Sequence, residues 1–187
     1  MKKSFVLPFV FTVILFIIFH SNAHTQTWTT QEGQITFFSE APLENIDATS
    51  KKLVSVLNTR NRQVASRVAI NTFQFRNGLM QEHFNDNYME SDKYPLANLR
   101  AQIVEDIDFT KNGKHKVTLE GTMEMRDIEK EMTIPGTIEI KDGKILATSE
   151  FIVKLEDHDI KVPRMLTRNI AEEILVTVKI EYKPHNQ

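Results

Sequence analysis

The segment His115–Met125, which reads HKVTLEGTMEM, decides the fold class of this chain. From Val117 onward, valine, leucine, glycine and methionine occupy every second position, with threonine and glutamate between them. Because successive side chains of a β-strand point to opposite faces of the sheet, this alternation gives one dry face and one wet face. One solvated face is typical of an antiparallel sheet and not of a parallel sheet buried on both sides.

The same two-residue period recurs along the rest of the chain and predicts about eight strands in all. The alternation is clear in Leu99–Ile107, Ile128–Ile140 and Ile174–Tyr182, and further strands are predicted at Gln34–Ser39, Leu53–Asn58, Gln63–Ile70 and Ile145–Leu155. Successive strands with short polar connections indicate an up-and-down meander. Such an all-β chain either closes into a barrel or packs as a sandwich.

Short polar stretches between the predicted strands mark the turns. Asp142-Gly143 and Asn112-Gly113 each supply residues that tolerate the positive φ values of a tight hairpin. Arg126-Asp127 is predicted as a further turn without glycine, and residues 59–62 as the connection between two strands. These turns favour consecutive antiparallel hairpins.

The segment Gly78–Asn85 breaks the alternation and predicts one short helix between strands. Apolar and aromatic residues lie there at positions i, i+1, i+4 and i+5 counted from Leu79, which is a helical spacing. Pro95 ends the excursion before the next strand. We expect this helix to lie across or under the barrel as a wall or lid.

Length and composition exclude several classes of protein. A chain of 187 residues is long enough for one domain with a real core. With no cysteine, it has no disulfide, thiol nucleophile or lipid-modified N-terminal cysteine. A net charge of −2 gives no electrostatic support for a nucleic-acid partner.

The first 23 residues have the pattern of a signal peptide. Lysines precede an uncharged apolar run, Phe5–Phe19, and a small-x-small triplet ending at Ala23 suits signal-peptidase cleavage. The run is shorter than the roughly 20 apolar residues of a membrane-spanning helix, which favours cleavage over the alternative of an uncleaved anchor. We therefore expect a single mature domain, residues 24–187, without a transmembrane anchor, in the periplasm or secreted from a bacterial envelope.

The helical excursion carries the most distinctive motif of the chain. His83-Phe84 precedes the aromatic–apolar pair Tyr88-Met89, and Lys93-Tyr94-Pro95 leads into the next strand. This arrangement resembles the signature of the YceI-like family of lipid- and polyisoprenoid-binding proteins. Gly121–Lys130 and Asp157–Pro163 are similar to two further segments of that family, and the resemblance spans about Gly33–Tyr182.

The resemblance implies an eight-stranded, lipocalin-like antiparallel β-barrel with a short helical excursion and an apolar cavity for an isoprenoid chain. It implies an amphiphilic lipid as partner, isoprenoid or quinone-like, and no other cofactor. The chain departs from the family at Ile35–Phe38, which lacks the usual histidines, and at His158, which stands where an aromatic residue is common. These departures concern the head-group chemistry of the ligand.

A set of apolar and aromatic residues on inward parities and on the helix is predicted to line the cavity. Met132 shares this apolar pattern, and His83 is predicted either to donate a hydrogen bond to a quinone or phosphate head group or to satisfy a loop. The predicted ligand-binding residues are Phe37, Phe73, Phe75, Met80, His83, Phe84, Tyr88, Met89, Met123 and Phe151. Parity alone does not separate this lining from an ordinary filled core, since both need apolar side chains.

Two alternatives to a binding protein stay open at this stage. One is a small envelope enzyme in which Glu82, His83, Asp157 and His158 converge on a hydrophobic substrate. The other is a stress or interaction protein with a filled barrel and no ligand. No histidine pair or acidic cluster has a recognised metal-ligand spacing, so no metal is expected. The oligomeric state is expected to be a monomer or a homodimer.

Overall fold

The computed structural model describes residues 26–162 and 170–185. The predicted signal peptide lies outside these residues, as does the segment 163–169. The strands are β1 Thr27–Glu40, β2 Asn45–Asn58, β3 Gln63–Ala69, β4 Gln74–Phe75, β5 Leu96–Ile103, β6 Gly113–Met125, β7 Ile128–Lys141, β8 Lys144–Lys154 and β9 Glu173–Pro184. The helical segments are a 3-10 helix Ile70–Thr72, the α-helix α1 Gly78–His83, a π-helical turn Phe84–Tyr88 and a 3-10 helix Leu155–His158.

Eight strands close into an antiparallel barrel. The sheet closes because β1 pairs with both β2 and β9, while the other strands form a continuous ladder between them. The two-residue β4 pairs with β2 at Ala48 and Thr49, beyond the part of β2 that pairs with β3. The predicted all-β, lipocalin-like barrel is confirmed, and the sandwich alternative is wrong.

The predicted strands agree with the structure apart from their ends. β1 begins at Thr27, well before the predicted Gln34. β5 ends at Ile103, so Ile107 is buried in the loop that follows and not in a strand. Because Ile107 is buried, it continues the apolar alternation of β5 in the sequence although it lies in the loop.

Two tight hairpin turns join consecutive strands on either side of β7. Asp142 and Gly143 have φ values of 50° and 73° in the β7–β8 turn, as the Asp-Gly dipeptide predicted. Arg126 and Asp127 have φ values of 54° and 58° in the β6–β7 turn. The turn without glycine is therefore confirmed, with both residues in the left-handed conformation that most side chains disfavour.

The predicted tight hairpin at Asn112-Gly113 is wrong. β6 already begins at Gly113, and residues 104–112 connect it to β5. The chain turns earlier because the Asp108 carboxylate accepts hydrogen bonds from the Thr110 N–H at 3.0 Å and hydroxyl at 2.5 Å. The hydrogen bonds from Thr110 and Lys111 lower the pKa of Asp108 to about 2. The Asn112 side-chain oxygen instead accepts from the Asp142 N–H at 3.1 Å.

The helix predicted at Gly78–Asn85 is present and has a clear start. The Asn77 side chain accepts hydrogen bonds from the Leu79 N–H at 2.8 Å and the Met80 N–H at 3.4 Å, which caps α1. The helix passes at Phe84 into the π-helical turn. In the described part of the chain, no helix is both long and apolar enough to span a bilayer.

Buried apolar side chains fill the end of the barrel that carries the β7–β8 turn. Ile103, Ile140 and Ile145 are at most 4% exposed there, and Trp28 and Phe109 pack against this cluster. We refer to this end as the closed end. The helix α1 follows β4 and lies at the opposite end.

Candidate ligand-binding cavity

A cavity of about 400 Å³ lies inside the barrel, between the closed end and α1. This volume is in the range of about 300–1,000 Å³ that is typical of small-molecule sites. All ten predicted residues lie on its wall, namely Phe37, Phe73, Phe75, Met80, His83, Phe84, Tyr88, Met89, Met123 and Phe151. Met132 is not among the wall residues. That the ten contact a ligand stays a prediction.

A cluster of four phenylalanine rings forms the wall beneath α1. The rings of Phe37, Phe73, Phe75 and Phe84 have centroid separations of 5.0 to 5.8 Å. These spacings are typical of favourable aromatic pairs. Phe84 belongs to the helical segment, whereas Phe37 lies on β1, Phe75 on β4 and Phe73 just before β4. The cluster therefore attaches the helical segment to the barrel.

Arg126 clamps the end of the helical segment to the β6–β7 turn. Its guanidinium donates to the Tyr88 carbonyl at 2.6 Å and to the Glu90 carboxylate at 2.5 Å. The guanidinium also lies 5.0 Å from the Tyr94 ring centroid, and the side chain is only 11% exposed. This clamp fixes Tyr88 on the cavity wall. The clamp could not be identified from the sequence, because no local spacing links residue 126 to residues 88 and 90.

Three hydroxyl groups, two of them on buried residues and one on the half-buried Ser66, form a hydrogen-bonded chain at the closed end of the cavity. Ser55 Oγ lies 2.7 Å from Ser66 Oγ and 2.8 Å from the Tyr182 hydroxyl. Ser66 and Tyr182 lie on the cavity wall. Burial raises the pKa of Tyr182 to about 12, so this phenol is neutral at physiological pH. The sequence signal for these hydroxyl groups is serine at inward positions of the strands. Ser55, for example, lies between the buried residues Leu53 and Leu57.

The charged and histidine side chains on the wall are exposed. These are Glu44 in the β1–β2 loop, Arg67 on β3 and His83 on α1. None of the three is buried, so these side chains stay in contact with solvent. The interior that they surround is dominated by aliphatic, aromatic and methionine side chains.

The residues considered as catalytic groups have different surroundings and different partners. Glu82 and His83 are exposed on α1, and Asp157 forms an ion pair with Lys130 at 3.5 Å. His158 is 1% exposed, and its Nδ1 donates to the Ile128 carbonyl at 3.2 Å. Among the residues that the structure describes, no group of three or more histidine, aspartate or glutamate side chains is arranged to hold a metal ion.

His158 fastens an incomplete part of the barrel. β7 and β8 pair only from Gly136↔Ser149 to Lys141↔Lys144, so residues 128–135 pair with β6 alone. The 3-10 helix that ends at His158 contacts both strands at this gap. Its imidazole hydrogen bond to the Ile128 carbonyl therefore ties this helix to β7 at the gap.

Acid is expected to destabilise the protein through His158. Burial lowers the pKa of His158 below its usual 6.5, although hydrogen bonds to the Ile128 and Met125 carbonyls oppose the shift. The unfolded chain then binds a proton at a higher pH than the folded one, so stability is complete above about pH 6.5 and declines below it. Denaturant unfolding from about pH 8 to about pH 5 measures this decline.

Replacing His158 by glutamine should reduce that decline in the free energy of unfolding. His83→Gln is the matched control, because His83 is exposed and its replacement should leave the decline unchanged. An equal pH dependence in His158→Gln and in the unmutated protein would contradict this assignment.

The closed antiparallel barrel and its apolar cavity define a lipocalin-like β-barrel protein. The chain matches the model of the YceI-like domain over residues 11–182. It belongs to the YceI-like domain family, as the motif at residues 79–95 indicated. No curated protein is significantly similar to it in sequence.

Solved structures from three bacteria share the fold. A polyisoprenoid binding domain from Saccharophagus degradans, implicated in plant cell wall breakdown, has a TM-score of 0.73 at 11% identity, covering 87% of this chain and all of its own. BcnA of Burkholderia cenocepacia gives 0.64 at 11% identity, over 81% of this chain and 96% of its own. The YCEI protein of Campylobacter jejuni gives 0.57 at 15% identity over the whole of both chains. At these identities the similarity shows the fold alone.

Proposed function

We propose that the protein is a non-catalytic binding protein that holds the hydrocarbon chain of an isoprenoid, quinone-like or other amphiphilic lipid inside its barrel. The observation that carries this proposal is the apolar cavity of about 400 Å³ in the closed barrel. A ligand-free barrel would instead have a filled interior. Membership of the YceI-like family, with a polyisoprenoid binding domain among its structural neighbours, supports the same ligand class.

Desolvation of the ligand's hydrocarbon chain supplies the driving force for binding. Each buried methylene contributes about 0.8 kcal/mol, so a chain of a few isoprene units offsets the ordering terms of association. The methionines on the wall, Met80, Met89, Met123 and Met125, suit this role because their unbranched side chains adapt to an irregular ligand. The helix α1, together with Phe84 of the π-helical turn that follows it, then acts as a wall of the site.

The separation of the candidate acid–base groups supports a binding role over an enzymatic one. Glu82 and His83 face solvent, whereas His158 is buried and bonded to the Ile128 carbonyl. General acid–base catalysis needs such groups within hydrogen-bond reach of one reacting atom. The hypothesis of a small envelope enzyme built on these residues therefore has no geometric support.

We also propose that the protein works outside the cytoplasm, in the periplasm or as a secreted protein. The support is the sequence of residues 1–23, with its basic start, apolar run and Ala23 cleavage motif. N-terminal sequencing of the protein recovered from cell fractions tests this proposal. A mature form beginning at residue 24 in the periplasmic fraction is expected, and an intact N-terminus in the cytoplasm would contradict it.

Mass spectrometry of the organic extract tests the binding function. We expect the purified protein to release an amphiphile with a long hydrocarbon chain at a stoichiometry near one per barrel. An unrelated β-barrel protein purified in the same way is the control. Lipid that only adheres to the protein surface would be released equally from both proteins. Repeated extracts without lipid, together with failure to bind added isoprenoids, would overturn the proposal.

A further inference from the structure

Polar groups lie at the closed end of the cavity beside apolar side chains such as Leu57 and Ile103. At the closed end its wall includes Tyr182 and Ser66, which Ser55 bridges. Ser55 is 1% exposed and Tyr182 is 3% exposed, whereas Ser66 is half-buried. Beyond the hydroxyl chain lie the packed side chains of Ile140 and Ile145, which are not part of the wall.

The hydroxyl chain retains one unused donor. Each of its members has one hydroxyl hydrogen, and the two contacts that link them use two of these hydrogens. Among the described residues, Ser66 and Tyr182 make no side-chain hydrogen bond outside this chain. A third hydrogen is therefore free in every arrangement, and reorientation of the hydroxyls brings it to Ser66 or Tyr182 on the wall. On the buried Tyr182 this donor has no acceptor, which is unfavourable, so the site favours an incoming acceptor atom.

The chemistry of the surroundings restricts that acceptor to an uncharged group. Tyr182 is neutral, because burial raises its pKa to about 12. The cationic or titratable wall residues Arg67 and His83 are exposed. An anionic head group in this place would lose its hydration without gaining a counter-charge, which is strongly unfavourable.

The distance along the barrel leaves room for a hydrocarbon chain. Phe37 of the aromatic cluster pairs with Val176 on β9, and Tyr182 lies six residues further along the same strand. At about 3.3 Å per residue, this separation is about 20 Å along the strand. Apolar side chains line the wall between these two points.

We propose that the Tyr182–Ser55–Ser66 hydroxyl chain is a polar subsite that donates a hydrogen bond to an uncharged oxygen at the deepest end of the ligand. The ligand class is then an alcohol, aldehyde, ketone or amide of a long hydrocarbon chain, bound with its oxygen at the closed end and its chain toward the aromatic cluster. This inference rests on the proposed lipid-binding function and deepens it by giving the orientation and the head group.

The test compares farnesol with farnesene, a hydrocarbon of the same chain that lacks the hydroxyl. The variant carries Ser55→Ala, Ser66→Ala and Tyr182→Phe together, since any single replacement leaves a free hydroxyl hydrogen in the remaining pair. Removing all three groups also leaves no buried partner unsatisfied, which favours retention of the fold. Displacement of an uncharged fluorescent hydrocarbon probe, diphenylhexatriene, measures both affinities.

We expect the triple variant to lower the ratio of farnesol to farnesene affinity about tenfold while farnesene affinity changes little. The control is Thr36→Val with Thr49→Val, which removes a hydroxyl pair 2.9 Å apart that lies outside the cavity wall and should leave the ratio unchanged. If farnesol and farnesene both bind and the triple variant leaves their ratio unchanged, or weakens both equally, the subsite is wrong and the binding function stands. If neither binds to the unmutated protein, the proposed function itself fails.

Discussion

Replacing Ala147 by phenylalanine is expected to weaken lipid binding about 200-fold, since a ring that displaces about four methylenes removes about 0.8 kcal/mol for each. Ala147 lies on β8, between Ile138 of β7 and Ile180 of β9, and its small side chain is part of the cavity wall. The added ring enters existing space, so the barrel should stay folded. Titration with geranylgeraniol, followed by circular dichroism of the same samples, measures both effects.

The neighbouring residue supplies the matched control. Leu146 is 37% exposed and is not on the cavity wall, because it has the opposite parity on β8. Leu146→Phe adds a ring of the same size outside the barrel and should leave the affinity unchanged. Full affinity in Ala147→Phe would contradict the placement of the ligand in the cavity.

Gly121→Ala is expected to destabilise the barrel by about 3 kcal/mol or more, at the upper end of typical overpacking effects. A Cβ atom at Gly121 would lie 2.1 Å from the Arg100 carbonyl oxygen and 2.4 Å from the Ala101 Cα atom. Both are backbone atoms of β5, so no side-chain rotation relieves the contact. For a chain of this length, the loss corresponds to a melting temperature about 10 °C lower.

Gly78→Ala tests whether this effect is specific. No atom lies within 4 Å of a Cβ atom at Gly78, the first residue of α1. Alanine has a higher helix propensity than glycine, so this variant should be as stable as the unmutated protein or slightly more stable. A melting temperature for Gly121→Ala equal to that for Gly78→Ala would show that the strands β5 and β6 do not approach as closely as described.

Period-two alternation was sufficient to predict the barrel strands because it reflects a local rule of strand geometry. The turn preference of Asn-Gly, a different rule, failed at Asn112-Gly113, where a good hairpin dipeptide is overridden by the side-chain hydrogen bonds of Asp108. It also gave no strong reason to expect the left-handed conformation of Arg126. That conformation is explained by tertiary contacts, since it places the guanidinium on Tyr88 and Glu90.

The wall of the cavity was predictable, but the empty space was not. Inward parity and the family resemblance together identified residues such as Phe37 and Phe84, which the structure places on the wall. Whether inward side chains meet in the middle depends on barrel closure and on side-chain volumes from every strand. The hydroxyl chain lay beyond prediction for a similar reason, because Ser55 and Tyr182 are 127 residues apart in sequence.

The most direct test of the hollow, chain-binding barrel is the affinity of the unmutated protein for a homologous series of straight-chain alcohols, measured by calorimetry. If the chain is desolvated in the cavity, each added methylene should tighten binding up to about fourfold until the cavity is full. Beyond that length the affinity should level off or fall. An affinity that is undetectable, or that is independent of chain length throughout the series, would contradict the account.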